Sequence, residues 1–404
     1  MNKTHLITII MVSFTAFLFA KSPDLILKSA DSNINTMSKD GQVVSVLTGN
    51  VVFLYDDATI KSQYAKWWRN KGMVSFSDRV SAVRTTQTLT SDKMDYDKSK
   101  KQLVANGHVH FFDAKERVKL NGDHGTYNMD TKFLVVEGKP HFISYDTVAH
   151  DTLDITGKKM TYDDSLKKAT VHDNVTIQKG KLFSHSDFAV YYPDSGKAQL
   201  RLVPRIAFET DSLSGDSVDM LFTKKVLQKV KVKGGSHGMY HDFGKTDTTL
   251  THLFGDSISM FLSDSGKIDS LWALGNVKSK YFPIAKPSQT NEAYGKYMIV
   301  SFNKKSQVDR VKVWGNARSI YNVEEKDGRG VNEASGDSIL VGFANGRATH
   351  VKLCGSVRGF YAPLPQAPAA APLKKQESSI VEKPSVTPVQ PAPIQPASVK
   401  DVIK

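Results

Sequence analysis

The chain has 404 residues, enough for one large core or for a long stack of thin layers. Its hydrophobic content of 40% is ordinary for a folded protein and excludes a protein built of many apolar membrane spans. A formal net charge of +13 calls for an anionic partner: nucleic acid, phosphorylated lipid or a membrane surface.

The N-terminus selects among these. Asn2 and Lys3 precede an apolar run over 6–20 that is short for a bilayer span and ends at the small residue Ala20. It reads as a secretory signal peptide, residues 1–20, although Leu18 stands where a small residue is preferred; the other reading is an uncleaved anchor. No cysteine stands directly after it, so a lipoprotein anchor is not expected. Cys354 is the single cysteine, and no intrachain disulfide can form. Export makes nucleic acid an unsuitable partner and leaves acidic lipids or envelope polymers.

A phrase then recurs along residues 21–361. Residues 30–49 read as a degenerate first unit, with Ile34 poorly placed, as a cap would be. Three and five places after each small opening residue stand Ala65/Trp67, Met94/Tyr96, Gly125/Tyr127, Met160/Tyr162, Ala189/Tyr191, Val218/Met220, Ile258/Met260, Met298/Val300 and Ile339/Val341. Around the central Gly, Asp or Pro of each return limb stand Leu47/Val51, Val74/Phe76/Val80, Leu103/Ala105/Val109, Ala169/Val171/Val175, Leu271/Ala273/Val277 and their counterparts. Residues between them are mostly polar. Alternation kept up this long predicts half-buried antiparallel strands.

The turns agree, since Asp194-Ser195-Gly196, Asp264-Ser265-Gly266 and Asn345-Gly346 tolerate the positive φ of tight hairpins. Units lie about 30 residues apart up to Gly215 and about 40 apart afterwards, so a sub-boundary near 210–215 is a candidate. The extra residues, at 237–252, 283–293 and 322–332, read as longer loops. From residue 362 to 404 proline and alanine dominate, which predicts an extended, disordered tail. The fold class is therefore all-β, an elongated stack of about ten hairpin units. Two sheets, each taking one limb of every unit, would enclose an apolar slot. Ten layers at roughly 4.8 Å make a body of about 50 Å. A packed core and an open groove both fit the inward residues.

Catalytic and metal motifs are weak. Gly-Asp-Ser recurs at 215–217, 255–257 and 336–338, always at the same repeat position, which marks strand entry rather than one activated serine. His108 and His110 flank inward Val109 and lack a third ligand, and His237/His241 fall in an expected loop. No enzyme activity, cofactor or metal is expected. Nearly every hairpin tip carries a cation, and Lys101, Lys132, Lys168, Lys197, Lys225, Lys267, Lys305 and Arg347 would stack into a basic ladder. That ladder is either a solubilising flank or a phosphate-binding rim for an anionic amphiphile.

The Gly-Asn-Val return limbs (Gly49-Asn50-Val51, Gly275-Asn276-Val277), each preceded by a small-Asp-x-apolar strand, resemble the organic-solvent-tolerance-like (OstA-like) family over residues 30–361. This is the β-jelly roll, folded like a taco, of the lipopolysaccharide-transport bridge proteins LptA and LptC and of the periplasmic part of LptD. The resemblance implies a periplasmic, outer-membrane-associated segment of such a bridge, with lipopolysaccharide or a similar anionic lipid as cargo. Its partners would be other OstA-like proteins end to end and the outer-membrane translocon. The implied lipid-binding residues are the inward Val51, Phe53, Met94, Tyr96, Val109, Phe111, Tyr162, Ile177, Met220, Ile258, Met260, Val277 and Val300. The chain departs from the family in its length, in its Pro-rich tail and in lacking a large aromatic-girdled barrel. The runner-up is a structural envelope protein with a dry packed core and a peptidoglycan-spanning tail. A carbohydrate-active β-solenoid is a weaker third reading.

Overall fold

Period two in the sequence becomes paired strand, and among the described residues there is no α-helix. The computed structural model describes residues 25–55, 57–115, 117–146, 151–163, 165–223, 226–243, 248–325, 328–344 and 347–364. The expected signal peptide and residues 365–404 of the expected tail lie outside the described residues.

The first strands are β1 (Ile26–Ser29), β2 (Ser32–Met37), β3 (Val43–Tyr55), β4 (Ala58–Trp68), β5 (Met73–Arg84), β6 (Gln87–Asp97), β7 (Gln102–Asp113) and β8 (Val118–Asn128). Shorter pieces follow: β9 (Phe133–Glu137), β10 (His141–Asp146), β11 (Asp151–Thr156) and β12 (Lys159–Asp163). Next come β13 (Lys168–Lys179), β14 (Leu182–Tyr192), β15 (Lys197–Arg201), β16 (Arg205–Phe208), β17 (Asp211–Ser214) and β18 (Ser217–Thr223). The last group is longer: β19 (Val226–Phe243), β20 (Thr248–Leu262), β21 (Ile268–Pro283), β22 (Asn291–Phe302), β23 (Val308–Glu325) and β24 (Gly328–Ala344). β25 (Arg347–Cys354) and β26 (Arg358–Leu364) close the stack, so pairing reaches past residue 361 into the expected tail. All belong to one antiparallel sheet.

That sheet is folded along its middle. In β3, Thr48 pairs with Tyr64 and Val51 with Ser62, so Gly49 and Asn50 together face a single partner residue. Both have positive φ, 71° and 45°. The same double left-handed step recurs at Asp78/Arg79, Gly107/His108, Gly138/Lys139, Asp173/Asn174, Leu202/Val203, Gly234/Gly235, Gly275/Asn276, Gly315/Asn316 and Gly355/Ser356. An extra residue in one strand of an antiparallel pair bends it and sharpens its twist. Stacked along the sheet, these bulges crease it into two facing walls. Gly, Asn and Asp prevail there because a side chain's Cβ disfavours positive φ; nothing in the structure explains Leu202/Val203.

The neighbouring strand clasps the crease. Asn50 Nδ2 donates to Asp31 at 3.0 Å, Asn276 Nδ2 to Asp256 at 3.1 and 3.2 Å, and His108 Nδ1 lies 2.8 Å from Asp92. Asp216, Asp256 and Asp337 of the Gly-Asp-Ser triplets sit so close to Gly234, Gly275 and Gly355 that a Cβ there would lie 2.1, 2.0 and 2.0 Å from a carboxylate oxygen. The triplets are parts of a hinge line.

Several expectations are corrected here. Each hairpin limb was expected to join one of two sheets; instead the chain crosses the crease on every limb, giving half to a front wall (β2 to β25) and half to a back wall (β1 to β26). The central Gly or Asp of the return limb is a bulge, not an ordinary strand position. Because each hairpin adds two rungs to each wall, the stack is about 95 Å long at ~4.8 Å per rung, not about 50 Å. Residues 237–243, 248–252, 291–293, 322–325 and 328–332 are strand rather than loop. They widen the back wall from 51–55 in β3 to 317–325 in β23, roughly 13 Å at ~3.3 Å per residue. Pairing also runs unbroken past 210–215, where β16, β17 and β18 lead into β19.

Candidate functional site

The space between the walls is where alternate side chains converge. Val51, Phe53, Val109, Phe111 and Val277 reach it from the back wall and are buried. Met94, Tyr96, Tyr162, Met220, Ile258, Met260 and Val300 reach it from the front wall and are buried too. Ile177 is half-buried against the same core. The buried residues fall into two clusters, one from Leu25 to Tyr96 and one from Phe111 to Ile339, with Leu89 packed against both.

An apolar cavity of about 70 Å³ lies where the clusters meet. From the back wall Tyr55, Ala58, Ile60, Ala82, Leu89, Val109, Phe111 and Leu120 line it. From the front wall come Met94, Tyr96, Leu103, Gly125, Tyr127, Leu134 and Val136, with Met129 from a turn. Gly125 helps to leave the space open, since a Cβ there would touch Val109 only at 3.6 Å. In the N-terminal cluster Phe53 stands edge-on to Trp67 and Phe76 at 5.3 Å each. The free margins opposite the crease form the mouth of the slot, and side chains of the two walls bridge them. Tyr55 and Tyr96 meet edge to face at 5.3 Å, and the Tyr55 hydroxyl donates to Met129 Sδ at 3.1 Å. Ligand pockets usually offer some 300–1,000 Å³, so an acyl chain enters only if the walls part.

Tyr55, Ala58, Ile60, Ala82, Leu89, Leu120 and Met129 are absent from the sequence-based inward set. All but Met129, which lies in a turn, belong to back-wall half-strands, where the same alternation continues beyond the positions counted from the small residue and the return limb. Following it across the whole strand finds them.

The hairpin tips are unevenly charged. Front-wall turns stack in register: Lys98 N donates to Gly72 O (3.0 Å), Met129 N to Lys101 O (2.8 Å) and Lys267 Nζ to Lys304 O (3.3 Å). At the N-terminal end carboxylates interleave with the cations, pairing Lys71 with Asp40 (3.0 Å), Lys101 with Asp130 (2.8 Å) and Lys100 with Asp97 (3.6 Å). Hydrogen bonds from Ser38 and then Lys71 hold Asp40 below the usual carboxylate range, so it is ionised beside the lysine. From Lys132 on, the described residues show no ion pair for Lys132, Lys168, Lys197, Lys267 or Lys305. Lys225 lies outside the described residues, and Arg347 opens β25 at the end of the row.

Further along, the mouth is shut by a polar contact. Back-wall Tyr240 donates its hydroxyl to Ser306 O of a front-wall turn at 2.8 Å and packs edge-on to Phe302 at 5.2 Å. Burial, with the carboxylates of Asp242 and Asp211 nearby, raises the Tyr240 pKa and keeps it a donor. Burial also raises Asp242 and Asp211. His237, expected in a loop, lies in β19 with His241; its Nε2 is 2.9 Å from His252 Nδ1 and its ring stacks on Phe254. Burial lowers the pKa of both His237 and His252. Among the described residues no three side chains form a group suited to a metal ion.

The two ends differ. β1 and β2 pair only with β3, and β25 and β26 only with β24, which leaves four backbone edges bare among the described residues. Asn33 and Asn35 occupy inner positions at the first end, in register with Leu47 and Ser45. At the other end Val351 and Tyr361 are 55% and 51% exposed.

No protein family and no curated protein matches this chain. Among solved structures it is similar to LptH, the LptA-homologous periplasmic component of the conserved lipopolysaccharide transport device from Pseudomonas aeruginosa, at 15% identity. That likeness covers 26% of this chain and 76% of the other, with a TM-score of 0.25. A score that low carries no argument; the fold rests on the strand pairing itself.

Proposed function

We propose that this chain is a non-catalytic periplasmic scaffold that binds lipopolysaccharide and passes it toward the outer membrane. Acyl chains lie between the walls, and phosphates follow the unpaired lysines of the rim. The observation that carries this reading is the apolar cavity between the two core clusters, beside margins that the Tyr55 side chain bridges. A lipid chain entering there exchanges wall-to-wall apolar contacts for equivalent ones, so opening forfeits little hydrophobic burial. The bare strand edges and the apolar last rung suit end-to-end strand addition by similar folds and by an outer-membrane translocon.

Photo-crosslinking residues at Phe53, Phe111, Ile177 and Met260 test it against their outward neighbours Leu54, Phe112, Gln178 and Phe261. Lipopolysaccharide adducts confined to the first set support the slot, and labelling blind to the face overturns it. The smallness of the cavity favours one other reading, a structural envelope protein with a dry core. That reading gives no adducts in either set.

A further inference from the structure

The outer side of the front wall, facing away from the slot, carries a second surface. Across β19 to β25, rows of outward residues stand in register. Phe261, Trp272, Leu274, Tyr297, Ile299 and Trp314 form its centre. Lys229, Lys231, Lys233, Arg310, Lys312 and Lys352 surround them. No aspartate or glutamate stands in these rows. Trp272, Leu274 and Tyr297 are 44%, 38% and 39% exposed. Phe261 packs on Trp272 and Tyr297 stacks on Trp314, both at 5.3 Å. Lys229 and Lys312 lie over the rings of Phe261 and Trp314 at 4.8 and 5.5 Å. Lys233 pairs with Asp219 at 3.2 Å, but the other five cations have no ion pair among the described residues. The same face nearer the N-terminus is ordinary, with Lys93 paired to Asp95 and Lys159 to Glu137 at 2.9 Å each.

We propose that this face docks on a bilayer surface bearing anionic headgroups. It is the outer face of a continuously paired sheet, so it suits a plane better than an inserted segment. Trp and Tyr are the side chains that settle at headgroup level, one end apolar and one end wet. Lysine stems lie along the apolar centre while their ammonium groups reach outward to phosphates. The absence of acidic residues from these rows supplies the charge complementarity; an anionic protein face answers the charge alone, whereas a membrane offers anionic headgroups and an apolar layer at once.

Cys354 gives a readout in the unaltered chain. It is the single cysteine, exposed, and in register with Ser338 beside Trp314. With an environment-sensitive dye on Cys354, the full chain should show a blue shift with vesicles containing about one-third phosphatidylglycerol, reversed by high salt, and none with phosphatidylcholine alone. The triple variant Lys229→Gln/Lys231→Gln/Lys312→Gln should bind about a hundredfold more weakly. Lys66→Gln/Lys93→Gln/Lys159→Gln, which removes the same charge from the other end of this face, should lose less than about threefold. Should the first triple fail to fold, the dye shift and its salt dependence in the unaltered chain still decide. The proposal is overturned by an absent shift, by equal loss in the two triples, or by a dimer that Trp272→Ser abolishes while vesicles go unbound.

Discussion

Replacing Gly275 with alanine tests whether stacked bulges create the two walls. Gly275 has φ +73°, and a Cβ there would lie 2.0 Å from Asp256 Oδ2 and 2.6 Å from its Cγ. The left-handed backbone alone costs about 1–2 kcal/mol for a residue with a Cβ. The clash also drives the carboxylate off Asn276, and losing that hydrogen bonding costs about 1–2 kcal/mol more. Gly266→Ala is the control: its φ is +75°, but nothing lies within 4 Å, so only the backbone penalty applies. Urea unfolding followed through the nearby Trp272 and Trp314 should place Gly275→Ala about 1–2 kcal/mol below Gly266→Ala. Adding Asp256→Ala removes the clash, so the double variant should lose less than the sum of the singles. Equal midpoints for the two glycine variants, or strict additivity with Asp256→Ala, would refute the clasp.

Three further outcomes follow from the same geometry. Val313 is 1% exposed and its neighbour Lys312 is exposed, so Val313→Asp should cost several kcal/mol in urea melts and Lys312→Asp under about 0.5; the reverse order means the faces are swapped. Burial lifts the Asp242 carboxyl above its ordinary 3.8, so the folded chain holds a proton where the unfolded one has lost it, and this contribution to stability falls as pH rises through that window. Asp242→Asn should therefore raise the melting temperature at pH 7 and converge with the parent near pH 3, a comparison made by calorimetry. Gln at Lys132, Lys168, Lys197 and Lys267 should weaken lipopolysaccharide binding by roughly 1 kcal/mol per lysine without altering the melt, whereas Lys71→Gln and Lys101→Gln, already paired, should change binding little.

Parity was legible in the sequence because it is local: Met94 and Tyr96, or Ile258 and Met260, declare their face by spacing alone. The crease was not, because a bulge is a backbone state and its residues vary from Gly-Asn to Asp-Arg to Leu-Val. Treating Gly275 as an ordinary strand residue assigned whole limbs to separate sheets and halved the length of the stack. The strands at 237–243 and 248–252 read as loop because His237, His241 and His252 carry no β-branched signal, although His237 and His252 stack with Phe254, and His241 with Phe243, once paired. The rim's partial neutralisation was hidden for another reason. Asp40 and Asp130 belong to neighbouring units, some thirty residues from Lys71 and Lys101, and only stacking brings them together.

Folding one sheet, rather than facing two, also decides which margin of the slot opens. Along the crease the walls are joined by covalent chain on every limb and by backbone pairing on both sides of each bulge. Along the mouth they meet through Tyr55 with Met129 and Tyr96, and through Tyr240 with Ser306 and Phe302. Contacts of these kinds contribute about 0.5–1.5 kcal/mol each, less than breaking even a short run of ladder bonds. The mouth therefore yields first, and it yields where the two core clusters already stand apart, beside Leu89 and Gly125. On the proposed reading, cargo entering sideways at that point would meet the cavity before it met packed core, and travel toward either end would displace one rung of side chains at a time.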